Sequence, residues 1–216
     1  MRLKFLPSFV KRRGRITKNQ EDNLKFLSDY KIKNIADIQK ETSQYSSCCL
    51  EIGFGNAEHI FNQAVKNPEI LFIGSEVYLS GIGTLIGMAK EKNIMNIRIF
   101  SDDIRNLLDE NKNIEIFDAV KILCPDPWPK ERHHKRRLIN KCFLEMLHVS
   151  MRPCANLYIS TDWENYADHI NEELNVSQLF KKSDNFYTKK DFFTKFEQRG
   201  IDEGRRVFEF NYEKVS

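Results

Sequence analysis

Ser46-Ser47-Cys48-Cys49-Leu50-Glu51-Ile52-Gly53 is a short apolar run that closes on a glycine. A run of this length, ended by a turn residue, reads as a buried strand. Its continuation, Phe54-Gly55-Asn56-Ala57, carries a second glycine, and residues 57–67 then place Ile60, Phe61, Ala64 and Val65 on one helical face. The same alternation recurs downstream. ILFIGSE (70–76), IRIF (97–100), FDAVKILC (117–124) and NLYIST (156–161) read as further strands. Between them lie helical patterns with Leu85, Ile86 and Ala89; with DDIRNLLDE (102–110); and with Leu138, Cys142, Phe143, Met146 and Leu147. A last helix carries Trp163, Tyr166, Ala167, Ile170 and Leu174, and VFEFNYE (207–213) alternates as a half-buried antiparallel strand does. Strand and helix in alternation predict a doubly wound, mainly parallel α/β sheet, Rossmann-like, with an antiparallel C-terminal strand.

Upstream of the first strand the chain is polar and helical in pattern to about Gln44, behind a basic start. The expected organisation is a basic N-terminal extension over 1–44 and one α/β domain over 45–216. The 216 residues suffice for one domain with a full core. With 41% hydrophobic and 30% charged residues the composition is that of a soluble globular protein, and no apolar run approaches the roughly 20 residues that span a bilayer. The N-terminus lacks an apolar stretch of secretory length, which predicts a cytoplasmic protein without a signal peptide. Five cysteines at irregular spacing (Cys48, Cys49, Cys124, Cys142, Cys154) fit reduced thiols better than a disulfide framework or a zinc site.

Net charge is only +3, but its distribution is uneven. Arg2, Lys4, Lys11, Arg12, Arg13, Arg15 and Lys18 fall in the first twenty residues with no acid among them. A second cluster runs through Lys130, Arg132, Lys135, Arg136, Arg137 and Lys141. Two dense clusters on a nearly neutral chain suggest a polyanion footprint, although solvated surface is the plainer account of any single charge run.

Ligands of such sheets bind at the carboxyl ends of the strands. The chain's polar residues of interest fall there: Glu51 to Gly55, Glu76, Asp102 and Asp103, Asp126, and Asp162. Gly53 and Gly55 permit a tight turn and close approach to a ligand, as any strand-to-helix glycine pair would. A nicotinamide fingerprint needs a third glycine at position 58, which is Glu58, and the chain has no phosphate-loop lysine motif. Glu76 ends the second strand, where an acid can bond both hydroxyls of an adenosine ribose. Asp103 can meet an adenine amino group or cap a helix, and Asp102 competes for either role.

Asp126-Pro127-Trp128-Pro129 follows the fourth strand. Two prolines stiffen it, the aspartate offers acceptors to a base edge, and the tryptophan can stack or support. Lys130, Arg132, His133, His134, Lys135, Arg136 and Arg137 follow, a set suited to phosphates. No acid or cysteine lies at ligand spacing from the two histidines, so no metal site is expected.

The stretch PDPWPKERHHKRR (125–137) closely resembles the signature of bacterial tRNA (guanine-N7-)-methyltransferases. SFVKRRGRITKNQ (8–20), LEIGFG (50–55), the strand end at Glu76, STDWENYADHI (160–170) and TKFEQRG (194–200) resemble that family's other blocks, in order, over nearly the whole chain. One departure is Ala57, where the family commonly has a third glycine. The resemblance implies a class I methyltransferase that uses S-adenosylmethionine, releases S-adenosylhomocysteine, and methylates N7 of a variable-loop guanine in tRNA. It implies that Glu51, Gly53, Gly55, Glu76, Asp103 and Asp126 contact the cofactor, with Asp126 also at the catalytic position. It further implies that Lys130, Asp162, Thr194, Lys195, Phe196 and Glu197 hold the substrate and that Arg132 to Arg137 grip RNA, with no metal, membrane or protein partner required. From spacing alone, Thr161 with Glu164 and Thr194 with Glu197 both read as helix capping boxes. Rival expectations are methylation of an exocyclic amine, since Asp-Pro-Trp-Pro echoes the Asp-Pro-Pro-aromatic loop of that chemistry; a non-catalytic RNA-binding protein; and, more distantly, a dehydrogenase.

Overall fold

The computed structural model describes residues 4–10, 15–110, 113–184 and 194–215. Of the basic N-terminal residues, Arg2, Lys11, Arg12 and Arg13 lie outside the described residues.

The strands are β1 (Ser47–Ile52), β2 (Ile70–Ser75), β3 (Ile97–Phe100), β4 (Phe117–Leu123), β5 (Met151–Thr161), β6 (Phe180–Lys182) and β7 (Phe208–Lys214). They form one sheet in the order β3-β2-β1-β4-β5-β7-β6. The first five are parallel, and β7 runs antiparallel between β5 and β6. The expected doubly wound sheet and its antiparallel C-terminal strand are present. β6 is an addition that the sequence pattern did not suggest.

The helices are α1 (Lys18–Leu24), α2 (Leu27–Tyr30), α3 (Ile35–Thr42), α4 (Glu58–Lys66), α5 (Leu79–Glu91), α6 (Ile104–Asp109), α7 (Lys141–Ser150), α8 (Glu164–Ser177) and α9 (Lys195–Asp202). Strand residues alternate between the two faces. Cys48, Leu50 and Ile52 of β1 point into one core with Leu71 and Ile73 of β2, beneath α3, α6, α7 and α8. Cys49 joins Ile70 and Phe72 on the other face, beneath α4 and α5. Parallel strands covered on both sides need near-continuous apolar runs, which is why they were legible.

Two helix faces and one helix cap differ from the pattern. Val65 is exposed, and His59 and Gln63 take buried positions on α4. Cys142 is exposed, and Leu144 fills the core beside Phe143 and Leu147. The Thr161–Glu164 capping box does not form. Trp163 is the N-cap of α8 and makes no side-chain cap, while the Thr161 hydroxyl accepts from the Trp163 N–H. The Thr194–Glu197 box is present at α9.

The N-terminal segment is integral to the packing. α1 lies on α5 at Gly83, where an added Cβ would stand 2.5 Å from the Gln20 carbonyl oxygen. Lys31 then bridges to Ile99 at the sheet edge. No helix among the described residues is long and apolar enough to cross a membrane.

Candidate functional site

From β1 the chain winds one way through β2 to β3, and from β4 the other way to β5, so strand order reverses between β1 and β4. The connections that leave these two paired strands run in opposite directions, and a crevice opens beyond their carboxyl ends. A cavity of about 630 Å³ occupies this position. That volume lies within the roughly 300–1,000 Å³ of small-molecule sites.

The turn after β1 forms the cavity floor. Gly53 and Gly55 both have positive φ, at 74° and 54°. A Cβ at Gly53 would meet nothing within 4 Å, so the backbone there faces open space. α5 presses on the turn from below: a Cβ on Gly81 would lie 1.9 Å from the Gly55 carbonyl oxygen. Ala57 also sits in the left-handed region, at φ 72°, as the N-cap of α4. An alanine in a glycine conformation carries roughly 1–2 kcal/mol of strain.

The acids divide by environment. Glu76 lies on the wall, with its carboxylate drawn toward the turn: Oε2 accepts from the Gly55 N–H at 2.8 Å, and Oε1 from the N–H groups of Val77 and Tyr78. Burial raises its pKa above the usual carboxylate range, these hydrogen bonds oppose the shift, and the charge of Asp126 adds to it. Three of about four acceptor positions are occupied, which leaves one for a ligand hydroxyl. Asp103 also lines the cavity. It caps α6 through the Arg105 N–H and forms a forked ion pair with the Arg105 guanidinium, at 2.9 and 2.6 Å. Asp102 is exposed on the same wall and accepts from the Asp103 N–H. Glu51 is not on the wall; it is buried below the turn, with Oε2 2.5 Å from Nδ1 of His59.

Asp126 stands exposed on the cavity wall beyond β4, and its Oδ2 accepts from the Val10 N–H at 3.2 Å. The stiff loop turns at Trp128, whose φ is 48°, and whose indole N–H donates to the Ser8 carbonyl oxygen at 3.0 Å. A 3-10 helix, Glu131–Arg136, follows at once. Lys130, Arg132 and Lys135 are exposed on it or beside it. Arg136 stacks over the Trp128 ring, 5.0 Å from its centroid, and His133 meets that ring edge-on. His134 hydrogen-bonds Arg137, and Arg137 itself is buried. Its guanidinium donates to the Pro127 carbonyl oxygen and to Asn165, so it ties the loop to α8 and faces away from solvent.

The cavity lining continues beyond the ends of β5 and α9. Asp162 follows β5, with Oδ2 bonded to Arg205 Nε at 2.8 Å. In the run from Thr194 to Glu197 the side chains part company. Glu197 is fully buried, accepting from Ser160 Oγ at 2.7 Å and from Thr194. Phe196 is exposed and reaches over the glycine turn, 3.2 Å from where a Gly55 Cβ would lie. Lys195 pairs with Glu58 at 2.9 Å, and this hydrogen bond lowers the Glu58 pKa.

Several residues of the site were not singled out in the sequence. Ser8, Phe9 and Val10 line the cavity from the N-terminal segment. His59, Arg105 and Arg205 each engage an acid that was singled out. His59 and Arg205 stand 8 and 43 residues from their partners, separations that carry no pattern. Arg105, two residues after the N-cap Asp103, was the one within reach of local reasoning.

The wall holds six acids (Glu76, Asp102, Asp103, Asp126, Asp162 and Glu203) against two arginines, Arg199 and Arg205. Apolar Ile52, Val77, Ile104, Leu123 and Leu138 complete it. A mostly apolar crevice with net negative charge fits a nucleoside that bears a cation, as the sulfonium of S-adenosylmethionine is.

Comparison with known proteins is consistent with this geometry. Residues 45–210 match a family model described as "Putative methyltransferase". The tRNA (guanine-N(7)-)-methyltransferase of Legionella pneumophila (strain Corby) is 36% identical over 97% of this chain and 98% of its own length. That of Chromohalobacter salexigens is 31% identical over 97% of this chain and 90% of its own. Among solved structures, an antibiotic-related methyltransferase superposes with a TM-score of 0.61 over 85% of this chain and 96% of that one. At 17% identity that likeness speaks for the fold alone. The near full-length relatives, the matching family model and the shared sheet together show that the chain belongs to the tRNA (guanine-N(7)-)-methyltransferase family.

Proposed function

We propose that the protein transfers a methyl group from S-adenosylmethionine to N7 of a guanine in tRNA, giving 7-methylguanosine and S-adenosylhomocysteine. The observation that carries this reading is continuity. Asp126 lies in the wall of the acidic crevice, and four residues later Lys130 begins an exposed basic rim. A pocket for a small cationic nucleoside thus opens directly onto a surface for phosphates.

When bound, S-adenosylmethionine supplies an electrophilic methyl group on a positively charged sulfur. Gly53 leaves its path clear, Glu76 offers its remaining acceptor to a ribose hydroxyl, and Asp102 and Asp103 stand where the adenine would lie. Glu51 acts from below, by bracing the turn through His59.

Guanine N7 carries an in-plane lone pair and needs no proton removed before it attacks. The protein's tasks are therefore alignment and electrostatics. Asp126 and Asp162, beyond the ends of the neighbouring strands β4 and β5, accept hydrogen bonds from the guanine N1–H and amino group and offset the positive charge that grows on the purine. Lys130, Arg132, Lys135 and Arg136 hold the flanking phosphates. Their attraction offsets the few kcal/mol needed to expose a guanine engaged in folded RNA. Phe196 covers the glycine turn, while Thr194 and Glu197 fix the helix that presents it.

Residues 45–216 form the methyltransferase domain in this reading, with 1–44 as its basic extension. The family match begins at the same residue. A cytoplasmic location fits five free cysteines and a tRNA substrate. The test is to incubate the protein with labelled S-adenosylmethionine and unmodified tRNA, then identify the labelled nucleoside. Label on an exocyclic amine, or none, would overturn the assignment.

A further inference from the structure

Asp162 is held more firmly than a surface acid beside a ligand site needs to be. Its side chain is only 18% exposed. One side rests on α9 at Gly200, where an added Cβ would lie 2.6 Å from Oδ2 and 2.8 Å from the Asp162 Cβ. Any side chain at position 200 would force either this carboxylate or α9 to shift. From the other side, Arg205 Nε donates to the same Oδ2 at 2.8 Å. Oδ1 accepts no hydrogen bond from a described residue, and Asp162 is part of the cavity lining.

Arg205 is itself placed by the way α9 ends. Gly204 adopts φ 78°, and its N–H donates to the Ile201 carbonyl oxygen. The Arg205 N–H then donates back to the Gly200 carbonyl oxygen at 2.8 Å. This left-handed closure turns the chain so that the Arg205 side chain runs back toward the end of β5. A close contact with Glu203 holds a second edge of the guanidinium. A planar, permanently charged fork locked between two carboxylates fixes their orientation in a way that a single rotatable ammonium does not.

We infer that Arg205 is a positioning residue for the reaction: by occupying Oδ2 of Asp162 it turns Oδ1 toward the guanine. The inference rests on the proposed reading of Asp162 at the base. Arg205 touches neither base nor cofactor in this role. It acts through Asp162, as Gly200 does from the opposite side.

The experiment compares wild type, Asp162→Asn, Arg205→Gln, Arg205→Lys and the double variant Asp162→Asn/Arg205→Gln. Each is assayed for kcat, KM for tRNA, S-adenosylhomocysteine affinity and melting temperature. Misplacing an aligned group by about an ångström costs on the order of 10²-fold in rate. Arg205→Gln is therefore expected to lower kcat about tenfold to a hundredfold, with cofactor affinity and melting temperature close to wild type. Arg205→Lys, which restores one donor, is expected to recover part of the loss. The double variant is expected to be no slower than Asp162→Asn alone, because both changes remove one function.

Two results would overturn the inference. One is an Arg205→Gln variant with kcat within about twofold of wild type. The other is a loss confined to KM with a salt slope reduced by about one, which would place Arg205 on an RNA phosphate. Failure of the underlying reading looks different: wild type would form no 7-methylguanosine, or Asp162→Asn would turn over at the full rate.

Discussion

Nδ1 of His59 lies 2.5 Å from Oε2 of Glu51, and both side chains are sealed beneath the glycine turn. One residue closes β1 and the other lies in the first turn of α4, so the contact staples the strand to the helix across the turn it supports. Removing one partner of such a buried pair leaves the other without its hydrogen bond. His59→Ala is expected to lose about 2–4 kcal/mol of stability in urea unfolding. Glu51→Gln, which keeps an acceptor, is expected to lose less. Equal losses below about 1 kcal/mol would show that the pair does not brace the turn.

Asp126 is exposed, so removing its carboxylate disturbs little packing. Asp126→Ala is expected to lower kcat about 10²–10³-fold, the scale of losing one group that offsets transition-state charge. Its melting temperature is expected to stay within a few degrees of wild type. Near-normal turnover would sink the catalytic assignment.

The basic rim is expected to separate into two kinds of residue. Arg132→Ala and Lys135→Ala remove exposed charges. Each is expected to weaken tRNA binding and to reduce the slope of log affinity against log salt by about one. Arg137→Ala removes the tie between Pro127 and Asn165 and is expected to appear mainly as lost stability, with little change in slope. A salt response that is flat for wild type would remove RNA from this surface altogether.

Glu76 is expected to set the acid limit of cofactor binding. Burial favours its neutral form, so it takes up a proton at a higher pH than an ordinary glutamate does. A raised carboxylate pKa means that folding stability gained from this group falls as pH rises through the window just above 4.5, while its capacity to accept from a ribose hydroxyl grows. S-adenosylhomocysteine affinity, followed by calorimetry from about pH 7.5 downward, is expected to begin its decline at a higher pH than an ordinary glutamate would give. Glu76→Gln is expected to bind weakly at all these values and to flatten the profile.

Gly81→Ala tests the floor of the site from the far side. The new methyl would overlap the Gly55 carbonyl oxygen, so either α5 or the turn must shift. A loss of about 2 kcal/mol or more in stability, together with at least tenfold weaker cofactor binding, is expected. Ala57→Gly is the counterpart. It relieves a left-handed alanine but gives up a buried methyl, and the two effects of about 1 kcal/mol nearly cancel.

The parallel sheet was legible because each strand is buried on both faces and must therefore be apolar throughout, as Leu71 to Ile73 are. The strand-end acids were legible because topology, not side-chain detail, places them. Three features were not. Phe180-Lys181-Lys182 is too short for any period to show, and it becomes a strand only because β7 offers it an edge. Arg137 is indistinguishable in sequence from its basic neighbours, yet Asn165 and Pro127 draw it inward. Glu197 reads equally as a substrate ligand or a cap, and in the fold Ser160 and Thr194 take up its oxygens.

The edges of the sheet bear on how the protein behaves in concentrated solution. β3 is four residues long, and its neighbour Lys31 bridges to Ile99. β6 is three residues long and presents the exposed Lys181 and Lys182. Strands this short and this charged are poor templates for another copy's backbone. A sheet with so many apolar strands therefore ends, on both sides, in edges that disfavour edge-to-edge growth.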